Sequence, residues 1–319
     1  MWIEIHKDIF EKSEFDGLDY LFRILSWYPQ HSIKRYNIFI DLEKIKSTEN
    51  YSKFKLIQKD FDLFIDQQFN DFITESQNKN LKDYSVAIEN RRNHPKIFNI
   101  EEAIRFFKQP VSIILENNKN DAYFIKAIIH HFDSFGKVIE HLKNGWIKFE
   151  NAGGCSNVAN FIEGELKIFE DLALRNKKET FDYFRGMIIL DSDKESMEQP
   201  IKTQYLNLES YLNSKKINQD RYHFLEKRMM ENYMPDEVFE EIEHELTRRD
   251  KKLKSWIISY KQLDSARKDF LKYFEDMGSE FKTSFPKRFE SANVNKYTLK
   301  ARANSDELER ILNKISQLL

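Results

Sequence analysis

The sequence predicts an α/β fold in which a parallel sheet is flanked by helices, and two observations support this class. Short apolar runs rich in isoleucine, at 111–115 and 187–190, end abruptly at charged residues, as strands buried on both faces of a sheet do. Apolar residues between these runs recur at helical spacing. Because strands joined by crossover helices pair in parallel, this order implies a parallel sheet covered on both faces.

The first 107 residues are predicted to form an N-terminal α/β segment. Residues 36–40 have the composition of a strand, and residues 54–72 have the spacing of a helix. We expect that helix to bury an aromatic face made of Phe61, Phe64, Ile65 and Phe69. His94-Pro95 predicts a break, and a short helix is expected to start at Asn99 and to end before Pro110.

Residues 108–236 are predicted to form the central domain. Its predicted strands are 111–115, 146–149, 187–190 and 222–225, the last leading into the segment 226–233, and its predicted helices are 121–132 and 157–174. Gly153-Gly154 permits positive φ angles or a close backbone approach ahead of the second helix. Ser156 is the expected cap of that helix.

Residues 237–319 are predicted to form a helical C-terminal extension. The segment 305–319 is amphipathic, with its apolar face made of Leu308, Ile311, Leu312 and Ile315. We expect the chain's own core to cover that face, although these helices can also support a homodimer. Several basic residues can form a phosphate-tracking surface or can simply be solvated helix faces: Arg248, Arg249, Lys251, Lys252, Lys254, Lys282, Lys287, Arg288, Lys296, Lys300 and Arg302.

Composition restricts the class of protein further. Lys and Arg number 51 and Asp and Glu number 53 among 319 residues, so overall charge does not indicate a polyanion-binding protein, and any nucleic-acid site must be a local patch. The single cysteine, Cys155, excludes an internal disulfide framework and a cysteine-based zinc site. The charged N-terminus is unlike a signal peptide and no apolar run is long enough to span a membrane. We expect a cytoplasmic protein with no membrane partner.

Three acids follow the two apolar runs at the predicted strand ends: Glu116 after the first, and Asp191 and Asp193 after the second. In open α/β sheets, ligands bind in the crevice beyond the carboxyl ends of the strands. Since side chains alternate along a strand, we expect Asp191 and Asp193 to point the same way and to share one Mg²⁺ (or Mn²⁺) with Glu116. Such acids are also common in turns, so the acids can equally be structural.

Further residues near these acids can take part in the same site. Asp121 and Glu195 are close enough in sequence to contribute to a second metal position. Lys194 can contact a scissile phosphate or neutralise the acids.

These motifs resemble a Toprim domain, the metal-binding catalytic module of topoisomerases, bacterial primases and nucleases of the OLD (overcoming lysogenisation defect) type. The resemblance covers about residues 108–236 and includes Glu116, the Gly153-Gly154 turn and the Asp191-Ser192-Asp193 motif. It implies a Toprim-like parallel sheet in which Glu116, Asp191 and Asp193 bind a divalent metal.

A second motif is similar to the Arg-x-x-Glu-Asn-Tyr segment of OLD-like and anti-phage Toprim nucleases. It begins at Arg228 and contains Glu231. If the segment forms a helix, the two side chains lie one turn apart and can face the same crevice, the arginine for phosphate and the glutamate for a metal or its water. A structural ion pair between them is the alternative.

The function expected from the acids and the resemblance is metal-dependent hydrolysis of DNA or RNA, tRNA included. The eight glycines do not form a Walker A loop, whereas OLD-type nucleases usually carry an ATPase in the same chain. The resemblance therefore implies the nuclease of an anti-phage system of the PARIS type, with a separate ATPase as sensor. Two alternatives stay open: a primase- or topoisomerase-like Toprim enzyme, and a non-catalytic binding module.

Overall fold

A computed structural model describes residues 1–25, 34–76, 82–88, 94–246, 250–272, 281 and 284–319. The chain forms two compact units, the first made of 1–111, 165–185 and 317–319 and the second of 112–164 and 186–316. Each unit carries one four-stranded sheet, parallel throughout and flanked by helices, so the predicted α/β class is confirmed. This grouping keeps the C-terminal helices with the second sheet. The division into 1–107, 108–236 and 237–319 stays a prediction.

The sheet of the first unit has the strand order β2-β1-β3-β4. Its strands are β1 Trp2–Ile5, β2 Asn37–Phe39, β3 Lys82–Val86 and β4 Ile97–Phe98. Strand β2 confirms the prediction for 36–40. The other three strands are missed by the sequence reasoning because β1 and β3 mix charged with apolar residues and β4 has only two residues, so no buried run marks any of them.

The helices of the first unit pack on this sheet. They are α1 Lys7–Lys12, α2 Phe15–Ile24, α3 Leu42–Ile45, α4 Glu49–Ile57, α5 Phe61–Ser76, α6 Ile100–Lys108 and, from later in the chain, α10 Glu170–Asn176. The single helix predicted over 54–72 is wrong, because Gln58 adopts an extended conformation between α4 and α5. Phe69 is 41% exposed and does not belong to the buried face, which Phe61 and Ile65 form.

Helix α6 shows how a local signal sets a boundary correctly. Asn99 accepts a hydrogen bond from the backbone N–H of Glu102, and Glu102 accepts one from the backbone N–H of Asn99, both at 2.9 Å. This reciprocal capping satisfies two backbone donors that a helix start otherwise leaves unpaired. The predicted start at Asn99 and end before Pro110 are confirmed.

The sheet of the second unit has the order β6-β5-β7-β8. Its strands are β5 Val111–Leu115, β6 Ile147–Asn151, β7 Gly186–Leu190 and β8 Tyr222–Phe224, which confirms the four predicted strands. Strands β5 and β7 are parallel neighbours, with Ser112 opposite Gly186. The first strand of each sheet therefore lies between the second and third, which places a topological switch point beside β1 and beside β5.

The remaining helices surround the second sheet or follow it. They are α7 Asn118–Phe132, α8 Lys137–Lys143, α9 Val158–Leu166, α11 Thr203–Ser214, α12 Asp236–Glu245, α13 Lys251–Lys261, α14 Ser265–Asp269, α15 Lys296–Ala303 and α16 Glu307–Gln317. Short 3-10 helices add Cys155–Asn157, Lys167–Phe169, Thr180–Tyr183, Gln219–Arg221, Met230–Tyr233 and Pro286–Glu290.

Three expectations about these helices need correction. The helix predicted over 157–174 is divided into α9, a 3-10 turn and α10, and the division falls just after Gly164, a residue that weakens helices. Ser156 lies inside a 3-10 helix and caps nothing, since Gly154 precedes that helix. The segment 226–233 contains only the 3-10 turn Met230–Tyr233.

The C-terminal helix α16 behaves as its pattern predicts. Leu308, Ile311 and Ile315 are fully buried, so the chain's own core covers the apolar face.

Arg248, Arg249 and Lys282 of the proposed basic surface lie outside the described residues. Arg288 pairs with Glu241 and Glu245, and Arg302 pairs with Asp269, so these two cations are already neutralised. Among the described helices, none combines the length and the apolar character needed to cross a membrane.

Candidate active site beside β5 and β7

The candidate site lies at the carboxyl edge of the second sheet. Glu116 directly follows β5, and Asp191 directly follows β7. Because β5 and β7 are neighbouring parallel strands, their carboxyl ends emerge side by side at the switch point. The sequence prediction that these two acids share one edge of a sheet is thus met by the strand pairing.

A buried tyrosine joins Glu116 to Asp193. The Tyr205 hydroxyl oxygen lies 3.0 Å from Glu116 Oε1 and 3.4 Å from Asp193 Oδ2. Tyr205 comes from α11 and is 1% exposed. The two carboxylates therefore lie on either side of one hydroxyl, whose single proton can be donated to only one of them at a time.

The direction of Asp193 is set by a turn and not by strand alternation, which corrects the sequence argument. The strand ends at Leu190, and Asp193 adopts a left-handed conformation with φ 53°. The backbone N–H groups of Ser192 and Asp193 both donate to the Arg228 carbonyl at 3.0 Å. This anchoring compensates a backbone conformation that residues other than glycine adopt infrequently.

Asp191 and Asp121 complete the acidic cluster. Asp191 Oδ1 accepts a hydrogen bond from the Met230 backbone N–H at 3.1 Å. Burial, followed by the charges of Glu231, Asp121, Glu116 and Asp193, raises the pKa of Asp191 well above its ordinary value. The five carboxyl groups therefore feel one another's charge, as groups at functional sites often do.

Asp121 is held by the turn that starts α7. Its Oδ2 accepts a hydrogen bond from the Asn117 N–H at 2.8 Å. Burial, with a smaller contribution from Glu116, raises the pKa of Asp121 to about 7. The predicted membership of Asp121 in the cluster therefore has an electrostatic basis.

The Gly153-Gly154 turn contributes a backbone donor to the site. Gly153 and Gly154 have φ angles of 75° and 108°, so the expectation of positive φ angles is confirmed. The turn brings the Cys155 N–H to 3.3 Å from Glu116 Oε2. Burial and the nearby Glu116 raise the pKa of the Cys155 thiol to about 12. The thiol is therefore protonated at neutral pH and is not a nucleophile.

Burial also raises the pKa of the Glu116 carboxyl, the hydrogen bond from Tyr205 opposes that rise, and Asp193 adds to it. Of Glu116, Asp121, Asp191 and Asp193, only Asp193 has an ion pair among the described residues, with Lys202 Nζ at 3.4 Å. Lys202 is half-exposed. The cluster thus carries more negative charge than the surrounding described side chains neutralise.

The other predicted site residues make different contacts. The Arg228 guanidinium donates to the Phe270 carbonyl at 3.4 Å, and its buried Nε has no hydrogen-bond partner among the described residues. Glu195 is exposed, with its N–H bonded to Gln199. The Lys194 N–H bonds Ser192 Oγ at 3.4 Å. Sequence reasoning missed Tyr205 and Lys202, because neither the loop after β7 nor α11 carries a motif.

The cluster offers carboxylate oxygens, which are the ligands that Mg²⁺ prefers. Within the described residues, no group of three or more His, Cys, Asp or Glu side chains is arranged to hold a metal ion. Magnesium, however, is commonly bound by only one or two carboxylates, with waters and substrate phosphates as its other ligands. Glu116 and Asp193, which converge on Tyr205, supply such a pair of oxygen donors. The residues fit a two-carboxylate magnesium site.

Comparison with known proteins gives no match: no protein-family model, no curated protein and no solved structure is significantly similar to the chain. The arguments about function therefore depend on the residues and their geometry.

Proposed function

We propose that the protein is a metal-dependent nuclease that hydrolyses nucleic-acid phosphodiesters at the edge of the second sheet. The observation that carries the proposal is the convergence of Glu116 and Asp193 on the Tyr205 hydroxyl, within a cluster whose charges raise the pKa of Asp191. Carboxyl groups crowded in this way repel one another unless a cation is bound. Their cost to stability favours a functional over a structural role.

The proposed roles of the side chains follow from their contacts. Glu116 and Asp193 would hold Mg²⁺ or Mn²⁺, which when bound supplies Lewis-acid polarisation of the phosphodiester and lowers the pKa of a bound water. Tyr205 holds the two carboxylates apart in the metal-free protein. Asp121, with a pKa of about 7, can take up or release a proton near neutral pH. Lys202 and Lys194 are the proposed contacts to substrate phosphate.

Tyr205 also bears on the topoisomerase alternative. A transesterifying tyrosine must reach a phosphodiester, but Tyr205 is 1% exposed and its hydroxyl is engaged by two carboxylates. Burial, with the charges of Glu116, Asp193 and Asp191, raises the pKa of the phenol. These contacts favour hydrolysis by water over attack by this tyrosine.

The proposal includes a biological setting that depends on the resemblance described above. A Toprim-like nuclease without its own Walker A loop would act as the effector of an anti-phage system with a separate ATPase. Association with a purified ATPase from a neighbouring gene would support this setting, and nuclease activity that is indifferent to any such partner would count against it.

The test is incubation of the purified protein with plasmid, single-stranded DNA and total tRNA, with and without Mg²⁺ or Mn²⁺. We expect cleavage that requires the metal and that the Glu116→Ala substitution abolishes. The same samples are tested for a rise in melting temperature on addition of metal, which reports binding without chemistry. Absence of both cleavage and metal-dependent stabilisation would refute the proposal, whereas metal binding without cleavage directs the assay to the ATPase partner.

A further inference from the structure

A cavity in the second unit lies along α7. It has a volume of about 620 Å³ and is lined by α7, α8 and the segment 289–295. Cavities that bind small molecules usually have volumes of roughly 300–1,000 Å³. The cavity is therefore large enough for a molecule the size of a nucleotide.

Apolar and ring-bearing side chains make most of its wall. Phe289 and Val294 are buried, at 3% and 2% exposure, and Ile139 and Leu142 of α8 lie opposite α7. Tyr123 lines the cavity from α7. Such a wall suits a flat organic body, because aromatic faces stack on planar ligands.

The polar part of the wall includes two imidazoles and a lysine from α7. The rings of His130 and His131 pack edge to face, with centroids 4.7 Å apart. Neither ring takes part in a hydrogen bond or ion pair with the residues that the structure describes. Lys126 Nζ lies 5.8 Å from the centre of the Tyr123 ring, and no described carboxylate is within ion-pair distance of it.

The lining offers an anion one lysine that has no ion-pair partner among the described residues. Lys126 and Lys143 face the cavity with one acid, Glu290. Lys143 is already paired with Glu140 of its own helix at 2.9 Å. Lys126 and the two imidazoles are thus the groups left to bind a negatively charged ligand group, as lysine and histidine do with phosphate.

The cavity is separate from the acidic cluster. Asp121 and His130 both belong to α7 but are nine residues apart, which places them roughly half a turn from each other around the helix axis. A ligand group at His130 is therefore on the opposite side of α7 from Asp121. A nucleic-acid strand bound at the acids would have to pass around the helix to reach the cavity.

We propose that this cavity is a binding site for a free nucleoside monophosphate. Its base would pack against Tyr123, and its phosphate would be bound by Lys126 and His130. The inference does not rest on the nuclease proposal, because none of these residues belongs to the acidic cluster.

Isothermal titration calorimetry of the full chain in metal-free buffer tests this site. Adenosine, guanosine and uridine monophosphates are titrated separately, with adenosine as the ligand that lacks the phosphate. We expect at least one monophosphate to bind, and Lys126→Ala and His130→Ala each to weaken it about tenfold, the loss expected for one charge-assisted hydrogen bond. Both side chains are exposed, so the substitutions leave the core unchanged.

Lys119→Ala is the matched control, since Lys119 is an exposed lysine of the same helix outside the cavity. It should leave the affinity unchanged, as should Glu116→Ala. The proposal is overturned if none of the three monophosphates binds, if adenosine binds as tightly as its monophosphate, or if Lys119→Ala weakens binding as much as Lys126→Ala. It is also overturned if Glu116→Ala abolishes binding.

Discussion

The two sheets have the same strand order, but the acids at their carboxyl edges have different partners. Beside β1, Glu4 lies 3.3 Å from His6 Nε2 and accepts a hydrogen bond from Ser85 Oγ at 3.2 Å. Beside β5, Glu116 and Asp193 share one tyrosine hydroxyl. With the same topology, the acid beside β1 has a histidine and a serine as partners, whereas the acids beside β5 lie close to one another around one hydroxyl.

Buried acids outside the sheet edges sharpen this contrast. Glu102 of α6 is 3% exposed, but Lys178 Nζ lies 2.8 Å from it and the Tyr183 hydroxyl donates to it at 2.6 Å. Glu102 also completes the cap of its helix. A buried carboxylate with this set of partners has a structural role, whereas acids that raise one another's pKa are relieved only by binding protons or an added cation.

The largest expected effect compares the equivalent edges directly. Glu116→Gln should lower metal-dependent cleavage by on the order of a thousandfold, because the lost ligand supports several kcal/mol of charge stabilisation. Glu4→Gln, at the matching strand of the first sheet, should leave the rate within about twofold of the parent rate, since it lies outside the proposed site. Initial cleavage rates at saturating Mg²⁺ measure the effects of both substitutions. Equal losses of rate would show that the edge beside β5 has no special role in cleavage.

Breaking the buried ion pair between Lys178 and Glu102 should lower the stability of the fold. Lys178→Met leaves Glu102 buried without its cation, which we expect to destabilise the fold by about 3 kcal/mol. Lys300→Met removes an exposed lysine that pairs with Glu309, and it should change stability by less than about 0.5 kcal/mol. Urea denaturation followed by tryptophan fluorescence compares the two. A loss as small for Lys178→Met as for Lys300→Met would contradict a structural role for the Glu102 pair.

Stability should depend on pH and metal through the acidic cluster. The pKa of Asp121 rises from its ordinary 3.8 to about 7 in the folded protein, so the folded state binds this proton more tightly than the unfolded state does. Its contribution is therefore most favourable below about pH 4 and is lost as pH rises to 7. Mg²⁺ at about 100 times its Kd should restore about 2.7 kcal/mol at pH 8.

At pH 5 the same metal concentration should stabilise the protein less, because protons compete for the carboxylates. Thermal unfolding at both pH values, with and without Mg²⁺, shows whether the stabilisation by metal is smaller at pH 5. Equal stabilisation at pH 5 and pH 8 would show that the metal binds elsewhere.

Removing one charge from the crowded cluster should stabilise the metal-free protein. Asp191→Asn keeps an oxygen for the Met230 N–H but removes the repulsion from Glu231, Asp121 and Glu116. We expect a gain of roughly 1–2 kcal/mol, together with a loss of cleavage. Urea denaturation without metal measures the gain, and a loss of stability would identify the acids as structural.

The smallest effect concerns the hydroxyl between the carboxylates. Tyr205→Phe keeps the buried ring but removes its hydrogen bonds to Glu116 and Asp193, so we expect a loss of about 1 kcal/mol in the metal-free protein. Tyr222→Phe, which removes a hydroxyl bonded to the exposed side of α11 through Glu209, should cost less. If Tyr205→Phe is neutral without metal, the hydroxyl does not hold the acids apart.

Local signals account for what could be predicted from the sequence. Apolar runs marked β5 and β7, and the ends of these strands placed Glu116 and Asp191 at one edge of the second sheet. The Gly153-Gly154 turn and the Asn99 cap were also readable, because their geometry depends on residues a few positions apart. Three strands of the first sheet were missed, since short mixed strands become strands only when a neighbour pairs with them.

Tertiary structure alone decided the composition of the candidate site. Tyr205 reaches Glu116 from 89 positions away, and the Arg228 carbonyl sets the turn that directs Asp193. The sequence predicted a role for the Arg228 guanidinium, but the residue contacts Ser192 and Asp193 through its backbone carbonyl. Such contacts depend on how distant segments pack. The spacing of residues along one strand or helix does not predict that packing. The amino-acid sequence determined where the acids leave the sheet, and the packing around them determined which side chains they meet.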